Sequence, residues 1–402
     1  MKKLDILSYK NALNIALENA VKELPQEVVF LSNSLGGILS EDITVKKNIP
    51  SFDNSALDGF AFNYKDKNNK LKIVSVIYAG DKPKEMLKEN ECYKIMTGAK
   101  VPNDADTVVA IEDCLEVTDT YIKLPASVKK GNALRLKGEE LKKGESLFRK
   151  GEKITSSVIA LLAAQGVPAV KVYKRLSIAV ASTGNELKEP WEEASEDEIY
   201  NANSSAVTAL LNEYGFKSDY VGLIPDNLDK TVEFISKLKN YDVIITTGGI
   251  SMGDADFLEE AFLKNGLKEF FHGVNIKPGR PTMMGKMGKT FVMAMPGNPL
   301  TTMLNVIVLC ISVLLKLQGN KNYSLKTIKA VNKKQFGFKC NRTNIILGRF
   351  ENGNFTVTRD NKIGSGMLLP LYESNALMLT KEGESEVKEG DEIDIILLKN
   401  FQ

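Results

Sequence analysis

The chain has 402 residues, of which 43% are hydrophobic and 26% are charged, a composition typical of soluble globular proteins with several domains. Its 53 basic and 51 acidic residues leave a formal net charge of +2, so no long-range field attracts nucleic acid or an anionic membrane. The only histidine, His272, argues against histidine triads and multi-histidine zinc sites, and its sequence context is more typical of a packed side chain. We therefore expect a small-molecule site built from carboxylates, Lys or Arg, backbone amides or a hard metal.

Targeting and redox features point to the cytoplasm. Asp5, Lys10 and Glu18 interrupt the apolar core that a signal peptide would need. The longest apolar run, at residues 306–315, is too short to span a bilayer, so we expect a buried helix there. The four cysteines are scattered without CxxC spacing, which disfavours disulfides and structural zinc. We expect a cytoplasmic protein that binds neither membranes nor nucleic acid.

The first part of the chain changes from helical to β-rich patterns. Apolar residues recur at helical spacing over residues 12–21. Short strands separated by Gly, Asp, Pro and Asn then occupy residues 44–139, including one predicted at 116–124. A helix at 156–165 and a strand at 169–173 follow, and they could pack back on the N-terminal helix. The β-rich stretch would then be an insertion.

The middle third alternates continuous apolar strands with helical patterns, which predicts a mostly parallel sheet covered by helices on both faces. The strands are expected at residues 177–181, 242–246 and 290–294, and the helices at 204–214, 229–239 and 301–317. Beyond residue 326 the chain is β-rich again, and Asn352 followed by Gly353 predicts a hairpin turn.

The expected fold class is therefore multidomain α/β plus β, with a central three-layer α/β/α domain, an inserted β-rich domain and a C-terminal β-barrel-like domain. The expected boundaries are 1–44 with 140–174 for the discontinuous N-terminal helical domain, 45–139 for the insertion, 175–323 for the α/β domain and 324–402 for the C-terminal domain.

Each apolar strand of the middle third ends in a glycine-bearing loop. Glycine lets backbone amides approach an oxyanion closely, and a helix that begins just afterwards adds its partial positive charge. Asn298 followed by Pro299 is an N-cap followed by proline at the first helical position. Three such loops on one sheet edge predict a site for an anionic, phosphate-bearing ligand. Its candidate residues are Thr183, Gly184, Gly248, Gly249, Ser251, Gly253, Pro296, Gly297 and Asn298.

Carboxylates fall on the same loops. Taken singly, Asp226 could cap the following helix, and Asp256 could form a capping box with Glu259. Taken together with Glu186 and Asp254, they provide the oxygen ligands that Mg²⁺ takes beside phosphate. We favour a metal-assisted phosphate site over four independent caps.

Two cations lie on the loop at residues 276–281, which carries two prolines. The prolines stiffen this loop, so Lys277 and Arg280 could neutralise an oxyanion with little ordering cost. The alternative is a surface loop with two solvated charges. The rigidity of the loop slightly favours a functional role.

Six motifs together resemble the molybdopterin molybdenumtransferase family, and the scaffold protein gephyrin carries a related domain. In chain order they are NSALDGF at 54–60, IMTGA at 95–99, STGNEL at 182–187, GGISMGDAD at 248–256, KPGRP at 277–281 and PGNP at 296–299. Without this resemblance, the first two motifs would be interpreted only as turns. The departures are Phe60 in place of a common tyrosine, Glu140 in place of an aspartate, and a loosely matching loop at Ser365.

The resemblance implies an enzyme that takes adenylylated molybdopterin and molybdate, uses Mg²⁺, and releases AMP and molybdenum cofactor. It implies a homodimer whose shared active site receives Asp58 and Thr97 from the second subunit, and an upstream molybdopterin adenylyltransferase as partner. Asp226 and Asp256, with Glu186, would hold Mg²⁺, while Lys277, Arg280 and Ser365 would contact substrate. Three alternatives stay open at this point: an adenylyltransferase, a non-catalytic scaffold, and tungstate in place of molybdate.

Overall fold

The computed structural model describes residues 6–21, 24–82, 86–250 and 257–398, and the chain forms two compact units. The smaller unit comprises Glu41–Lys150 and Ala160–Pro168, and the larger one comprises Met1–Ser40, Gly151–Ile159 and Ala169–Gln402. The chain therefore leaves the larger unit and returns to it. The finer division into four domains stays a prediction.

A six-stranded sheet forms the middle of the larger unit. Its strands in chain order are β1 (Ile178–Thr183), β2 (Asp219–Ile224), β3 (Val243–Thr247), β4 (Leu267–His272), β5 (Met283–Met287) and β6 (Thr290–Met295). Their order across the sheet is β2-β1-β3-β6-β5-β4. The pairs β2–β1, β1–β3 and β3–β6 are parallel, whereas β5 is antiparallel to both of its neighbours. The prediction of a mostly parallel sheet is confirmed.

Helices cover both faces of this sheet. They are α1 (Ala202–Glu213), α2 (Leu228–Lys237), α3 (Phe257–Lys264) and α4 (Pro299–Leu317). Because strand side chains alternate between the faces, Ile178 and Val180 join the core under α1 and α4, whereas Ala179 and Ala181 join the core under α2 and α3. The predicted three-layer α/β/α architecture is confirmed.

Helix α4 is the buried helix expected from the apolar run. Of the described helices, it is the one long and apolar enough to cross a bilayer, but 89% of its most apolar segment is buried inside the protein, as in the core helix of a soluble protein. The helix extends beyond the apolar run in both directions, so its burial, and not the length of the run, identifies it as a core helix. A π-helical segment, Val306–Cys310, interrupts it.

The C-terminal part of the larger unit is a curled sheet. Its order is Leu7–Ser8, Val274–Lys277, Thr343–Glu351, Asn354–Val357, Ile328–Asn332, Glu392–Leu397 and Ala376–Leu379. The last of these strands also pairs with Thr343–Glu351, which closes a barrel. Asn352 and Gly353 have φ values of 50° and 81°, as the predicted hairpin turn requires. The β-barrel-like C-terminal fold is confirmed.

Shorter elements complete the larger unit. The N-terminal helix Tyr9–Asn19 packs on the main core through Ala12 and Ala16. Other elements are the paired strands Gln26–Phe30 and Ala169–Tyr173, Leu187–Lys188 and Ile199–Tyr200, Phe336–Gly337 and Glu386–Val387, the helix Leu369–Tyr372, and the 3-10 helices Leu31–Asn33, Leu238–Asn240 and Thr358–Asn361. Helix Ser156–Ala164 lies where the chain passes from one unit to the other.

The smaller unit contains a second six-stranded sheet. Its order is Thr107–Ala110, Gly59–Phe62, Glu91–Ile95, Lys70–Ile77, Tyr121–Lys123 and Glu116–Val117. The single strand predicted at 116–124 is therefore a hairpin. Short pairs join Asn54–Ser55 to Leu134–Arg135 and Ile43–Thr44 to Ser146–Phe148. Phe60 is fully buried in an apolar cluster. A phenylalanine suits this place because, unlike the tyrosine common in the family, it has no hydroxyl that would need a hydrogen-bond partner.

The burial of α4 gives a test of the fold. Leu314 is completely buried in the main core, whereas Leu263 on α3 is 45% exposed. Replacing Leu314 with alanine should lower the free energy of unfolding by about 2–5 kcal/mol, because it removes buried methyl groups and leaves a cavity. Denaturant unfolding followed by circular dichroism measures this loss. Leu263→Ala is the control, and an equal loss in both variants would contradict the assignment of α4 to the core.

Candidate functional site

A cavity of about 610 Å³ lies at the carboxyl ends of four central strands, β1, β2, β3 and β6. Strand β1 lies between β2 and β3, so the connections that follow it run in opposite directions along the sheet. Open α/β sheets bind their ligands in the crevice that such a reversal creates. The predicted ligand edge of the sheet is therefore where this cavity is found.

Glycines let the loops at this edge touch one another. Gly248 has a φ of +87°, and a Cβ atom there would lie 2.5 Å from the carbonyl oxygen of Thr183. A Cβ on Gly249 would lie 2.5 Å from Cγ2 of Thr183, and one on Gly297 would lie 3.3 Å from Cα of Gly248. A side chain at Gly248 or Gly249 would force these loops apart. The glycines thus set the width of the cavity.

Most of the residues predicted for the phosphate-bearing ligand line this cavity. They are Thr183, Gly184, Glu186, Asp226, Gly248, Gly249, Pro296, Gly297 and Asn298. Four further predicted residues, Ser251, Gly253, Asp254 and Asp256, lie outside the described residues. The described members thus come from four separate loops and share one wall of backbone amides and carboxylates.

Asp226 does not cap the helix that follows it. The N-cap of α2 is Asn227, whose side chain accepts a hydrogen bond from the Lys230 amide at 3.2 Å. The carboxylate of Asp226 instead accepts a hydrogen bond from Nδ2 of Asn185 at 2.5 Å. The interpretation of Asp226 as a helix cap is therefore wrong. Its carboxylate remains at the cavity, and the contact with Asn185, a residue of the motif at 182–187, was not predicted from the sequence.

The carboxylates of Glu186 and Asp226 fit a hard divalent cation. Both residues are exposed, both line the cavity, and neither forms an ion pair with any residue that the structure describes. The Glu186 carboxylate lies against Gly184, where a Cβ atom would come within 2.8 Å of its oxygens. These oxygen-only donors are the ligands that Mg²⁺ takes.

A second cavity of about 550 Å³ adjoins the first. The two share Pro281, Pro296 and Asn298 as a common wall. Lys277 lines the second cavity, as does Lys339 from the C-terminal part of the chain, whereas Arg280 lines neither. The cationic groups therefore lie mostly in a different cavity from the carboxylates. Sequence patterns gave no signal for Lys339.

A buried asparagine holds the loop that carries Lys277 and Arg280. Nδ2 of Asn305, on α4, donates to the Gly279 carbonyl at 3.3 Å and to Oγ1 of Thr282 at 3.0 Å. Gly279 has a φ of +116°, and a Cβ atom there would lie 1.9 Å from Nδ2 of Asn305. The close approach of helix and loop thus requires glycine at this position. Asn305 is a second contributor that the sequence did not reveal.

The start of α4 is held by Ser365. Asn298 occupies the N-cap position with Pro299 after it, as predicted, but its side chain makes no capping hydrogen bond. Instead Nδ2 of Asn298 donates to Oγ of Ser365 at 3.1 Å, and the Thr301 amide donates to the Ser365 carbonyl at 3.3 Å. Ser365 also lines the second cavity. The structure therefore brings Ser365 to the loops predicted to bind substrate.

Behind the first cavity lies a buried polar network. Oγ of Ser182 donates to Oδ1 of Asn201 at 3.0 Å, and Nδ2 of Asn201 donates to the Tyr220 hydroxyl at 3.0 Å. The Tyr220 hydroxyl donates to the carboxylate of Glu189. Burial and the neighbouring Glu189 carboxylate raise the pKa of Tyr220, so its proton stays in place. The network fixes the side chain of Asn201, which lines the cavity.

In the smaller unit, Asp58 and Thr97 are direct partners. The backbone amide and the hydroxyl of Thr97 each donate to Oδ1 of Asp58 at 2.7 Å. The hydroxyl first and the amide second lower the pKa of Asp58 below its ordinary value. Asp58 is exposed, and it therefore presents a carboxylate that stays ionised at lower pH than usual. Glu140, in the same unit, is also exposed.

Three family models match the chain and together span most of it. The MoeA N-terminal region (domain I and II) matches residues 7–166, a probable molybdopterin-binding domain matches 179–316, and the MoeA C-terminal region (domain IV) matches 329–398. Together with the fold and the cavity, these matches define a protein of molybdenum cofactor biosynthesis.

Similar proteins specify the family. The chain is 30% identical to a molybdopterin molybdenumtransferase of Staphylococcus epidermidis strain RP62A, with 98% of each chain covered. It is also 30% identical to the enzyme of that name from Staphylococcus aureus strain COL, over 95% of this chain and 93% of the relative. A solved molybdopterin biosynthesis moeA protein from Pyrococcus horikoshii OT3 superposes with a TM-score of 0.85 at 29% identity, over 98% of this chain and 100% of that one. This chain belongs to the molybdopterin molybdenumtransferase family.

The Asp58–Thr97 pair predicts a shift in pH dependence. Thr97→Val removes the hydroxyl that contributes most to lowering the pKa of Asp58. The pKa of this carboxyl should therefore rise toward its ordinary value, so the carboxylate should become protonated at higher pH than in the native chain. Carbon-13 NMR titration of the Asp58 carboxyl group measures the shift. Thr97→Ser keeps a hydroxyl and should titrate like the native chain. An unchanged titration in Thr97→Val would show that the hydroxyl has no such effect.

Proposed function

We propose that this chain joins molybdate to adenylylated molybdopterin, with hydrolysis of the AMP–pterin linkage and release of AMP and molybdenum cofactor. The observation that carries this proposal is the pair of adjoining cavities. One is lined by glycine-loop amides and carboxylates, the other contains Lys277 and Lys339, and both share Pro296 and Asn298. Such a pair suits a phosphate-bearing substrate beside a small oxyanion.

The first cavity is the proposed seat of the nucleotide and the pterin phosphate. The glycine loops offer backbone amides there, and Gly248 lets them approach a phosphate closely. Asp226 and Glu186, with Asp256, would hold Mg²⁺. When bound, Mg²⁺ supplies Lewis-acid stabilisation of charge on the phosphoanhydride oxygens. Asn185 fixes the Asp226 carboxylate through its hydrogen bond, so this ligand is oriented before substrate arrives.

The second cavity is the proposed seat of molybdate, a tetrahedral dianion. Neither Lys277 nor Arg280 forms an ion pair with a described residue, so neither charge is already neutralised. Lys277, Lys339 and the hydroxyl of Ser365 line this cavity and could bind oxyanion oxygens. Arg280 lines neither cavity, and its contact with substrate stays a prediction. Asn305 holds the Lys277 loop in place, so the lysine would bind with little reorganisation.

We further propose a homodimer with a shared active site, in which Asp58 and Thr97 act on substrate bound by the second subunit. The ionised, exposed Asp58 carboxylate suits a group that orients water or Mg²⁺ at a phosphate.

A molybdopterin adenylyltransferase would supply the adenylylated substrate as upstream partner. We place the protein in the cytoplasm because Cys92, Cys114, Cys310 and Cys340 are free thiols.

Replacing the carboxylates tests the proposed chemistry. Asp226→Ala and Asp58→Ala should each slow AMP release from adenylylated molybdopterin by about a hundredfold or more, because each removes a charge at the phosphoanhydride. Asp229→Ala is the matched control, since Asp229 lies on the first turn of α2 and does not line the cavity. Normal AMP release by both active-site variants would contradict the proposed chemistry.

Mixing the two inactive variants tests the shared site. If each site combines Asp226 of one subunit with Asp58 of the other, half of the randomly mixed dimers are mixed, and each contains one intact site. AMP release should then return to about a quarter of the native rate. A site confined to one subunit would give no recovery, and that result would overturn the shared-site proposal while leaving the reaction itself intact.

Replacing Lys277 tests the proposed seat of molybdate. Lys277→Met should raise the molybdate concentration needed for half-maximal cofactor formation by about tenfold or more, since a charge-assisted contact is lost. AMP release measured without molybdate should change little, because Lys277 lines only the second cavity. Lys289→Met, in the exposed turn between β5 and β6, is the control. Equal effects on both readouts would contradict separate seats for the two substrates.

A further inference from the structure

The only histidine of the chain is almost completely buried beside a carboxylate. His272 is the last residue of β4, and its side chain is 4% exposed. Nε2 of the imidazole lies 3.3 Å from the carbonyl oxygen of Ile250. A carbonyl oxygen only accepts hydrogen bonds, so Nε2 must carry a proton in this contact. In the neutral ring, Nδ1 is then the nitrogen that carries the free lone pair.

That lone pair points toward acidic groups. Nδ1 of His272 lies 3.2 Å from Oε2 of Glu259 and makes no hydrogen bond. The carboxylate of Glu269 completes a cluster in which the three ligand atoms lie within 4.8 Å of one another. An imidazole lone pair and a carboxylate oxygen repel at this distance unless a positive charge lies between them. The contact therefore needs either a proton between the two atoms, on Nδ1 or on Oε2, or a metal ion.

The spacing fits a shared metal ion. A metal about 2.0–2.1 Å from a histidine nitrogen and a carboxylate oxygen places these two atoms roughly 3.0–3.4 Å apart, depending on the angle at the metal. The observed 3.2 Å lies within that range. The hydrogen bond from Nε2 to the Ile250 carbonyl is the contact that usually orients a metal-binding histidine.

We propose that His272, Glu259 and Glu269 form a binding site for a divalent transition metal such as Zn²⁺. One imidazole nitrogen and two carboxylates suit such ions, whereas Mg²⁺ takes oxygen ligands. The site is thus chemically distinct from the magnesium site proposed at Glu186, Asp226 and Asp256.

The ligands sit on two elements and leave a path for the ion. Glu259 belongs to the first turn of α3, whereas Glu269 and His272 belong to β4. Glu269 is exposed, forms no ion pair with a described residue, and opens the cluster to solvent, while His272 forms its buried end. A bound metal would therefore fasten the start of α3 to an edge strand of the central sheet.

Metal titration gives the first test. Zn²⁺ binding is followed by isothermal titration calorimetry in excess Mg²⁺, so that oxygen-only sites are already filled. We expect one Zn²⁺ per chain for the native protein and binding at least about tenfold weaker for Glu269→Gln, since even the loss of an outer-shell partner weakens metal binding by 10–100-fold. His272→Ala should lose the site. Glu260→Gln, which removes a neighbouring charge of α3 outside the cluster, should bind Zn²⁺ like the native chain.

The single histidine makes a second test unambiguous. With nitrogen-15 histidine labelling, every imidazole signal belongs to His272, apart from any purification tag, which must be removed. On addition of Zn²⁺ we expect the Nδ1 signal to move to the position of a metal-bound nitrogen while Nε2 stays protonated. Imidazole signals that Zn²⁺ leaves unchanged would show that a proton fills the gap, on Nδ1 or on Glu259, and would overturn the proposal. Neither test needs turnover, so failure here is separate from failure of the proposed function.

Discussion

Backbone contact between the loops at the carboxyl edge of the central sheet is the constraint on which the site depends. The Gly248 loop meets the Thr183 carbonyl so closely that no side chain fits, and Gly297 lies against Gly248 in turn. Loops in this contact cannot move independently without breaking the packing of their strands. The rigid wall that results includes Pro296 and Asn298, which face both cavities. The backbone amides of the glycine loops take their positions from it.

The charges of the site are separated by that wall. Carboxylates line the first cavity and lysines line the second, although the two are neighbours. Direct contact between these groups would form ion pairs and neutralise both. Kept apart, the carboxylates remain able to bind a cation and the lysines an oxyanion. The arrangement suits two substrates of like negative charge, because each meets its own counter-charge and the repulsion between them is reduced.

The sequence predicted what depends on local pattern and missed what depends on tertiary contact. The main strands of the α/β/α domain were recognisable because strands covered on both faces are continuous apolar runs, as in β1 and β3. Strands β2, β4 and β5 were missed because they lie at or next to the edges of the sheet, where Gly222, Lys268 and Lys286 break the apolar runs. The glycine loops predicted the first cavity. Lys339 lines the second cavity from a distant part of the chain, and Asn305 holds its Lys277 loop, but neither residue carries a motif. Asp226 and Asn227 are equally good helix caps by residue type, and only the structure distinguishes them.

Asp58 and Thr97 were identified through the family resemblance alone, since a carboxylate in a turn has no sequence pattern of its own.

The contact between Asn298 and Ser365 ties the two halves of the larger unit together. The first backbone amides of a helix are usually capped by a side chain next to them in sequence. In α4, Thr301 instead donates to the carbonyl oxygen of Ser365, 64 residues further along the chain. The C-terminal part of the chain thus supplies hydrogen-bond partners to the start of α4 and is not an appended module. An excised α/β domain ending near residue 323 would leave Thr301 and Asn298 without these partners and would open one side of the second cavity. The smallest piece of this chain that keeps the second cavity intact must therefore extend through the barrel.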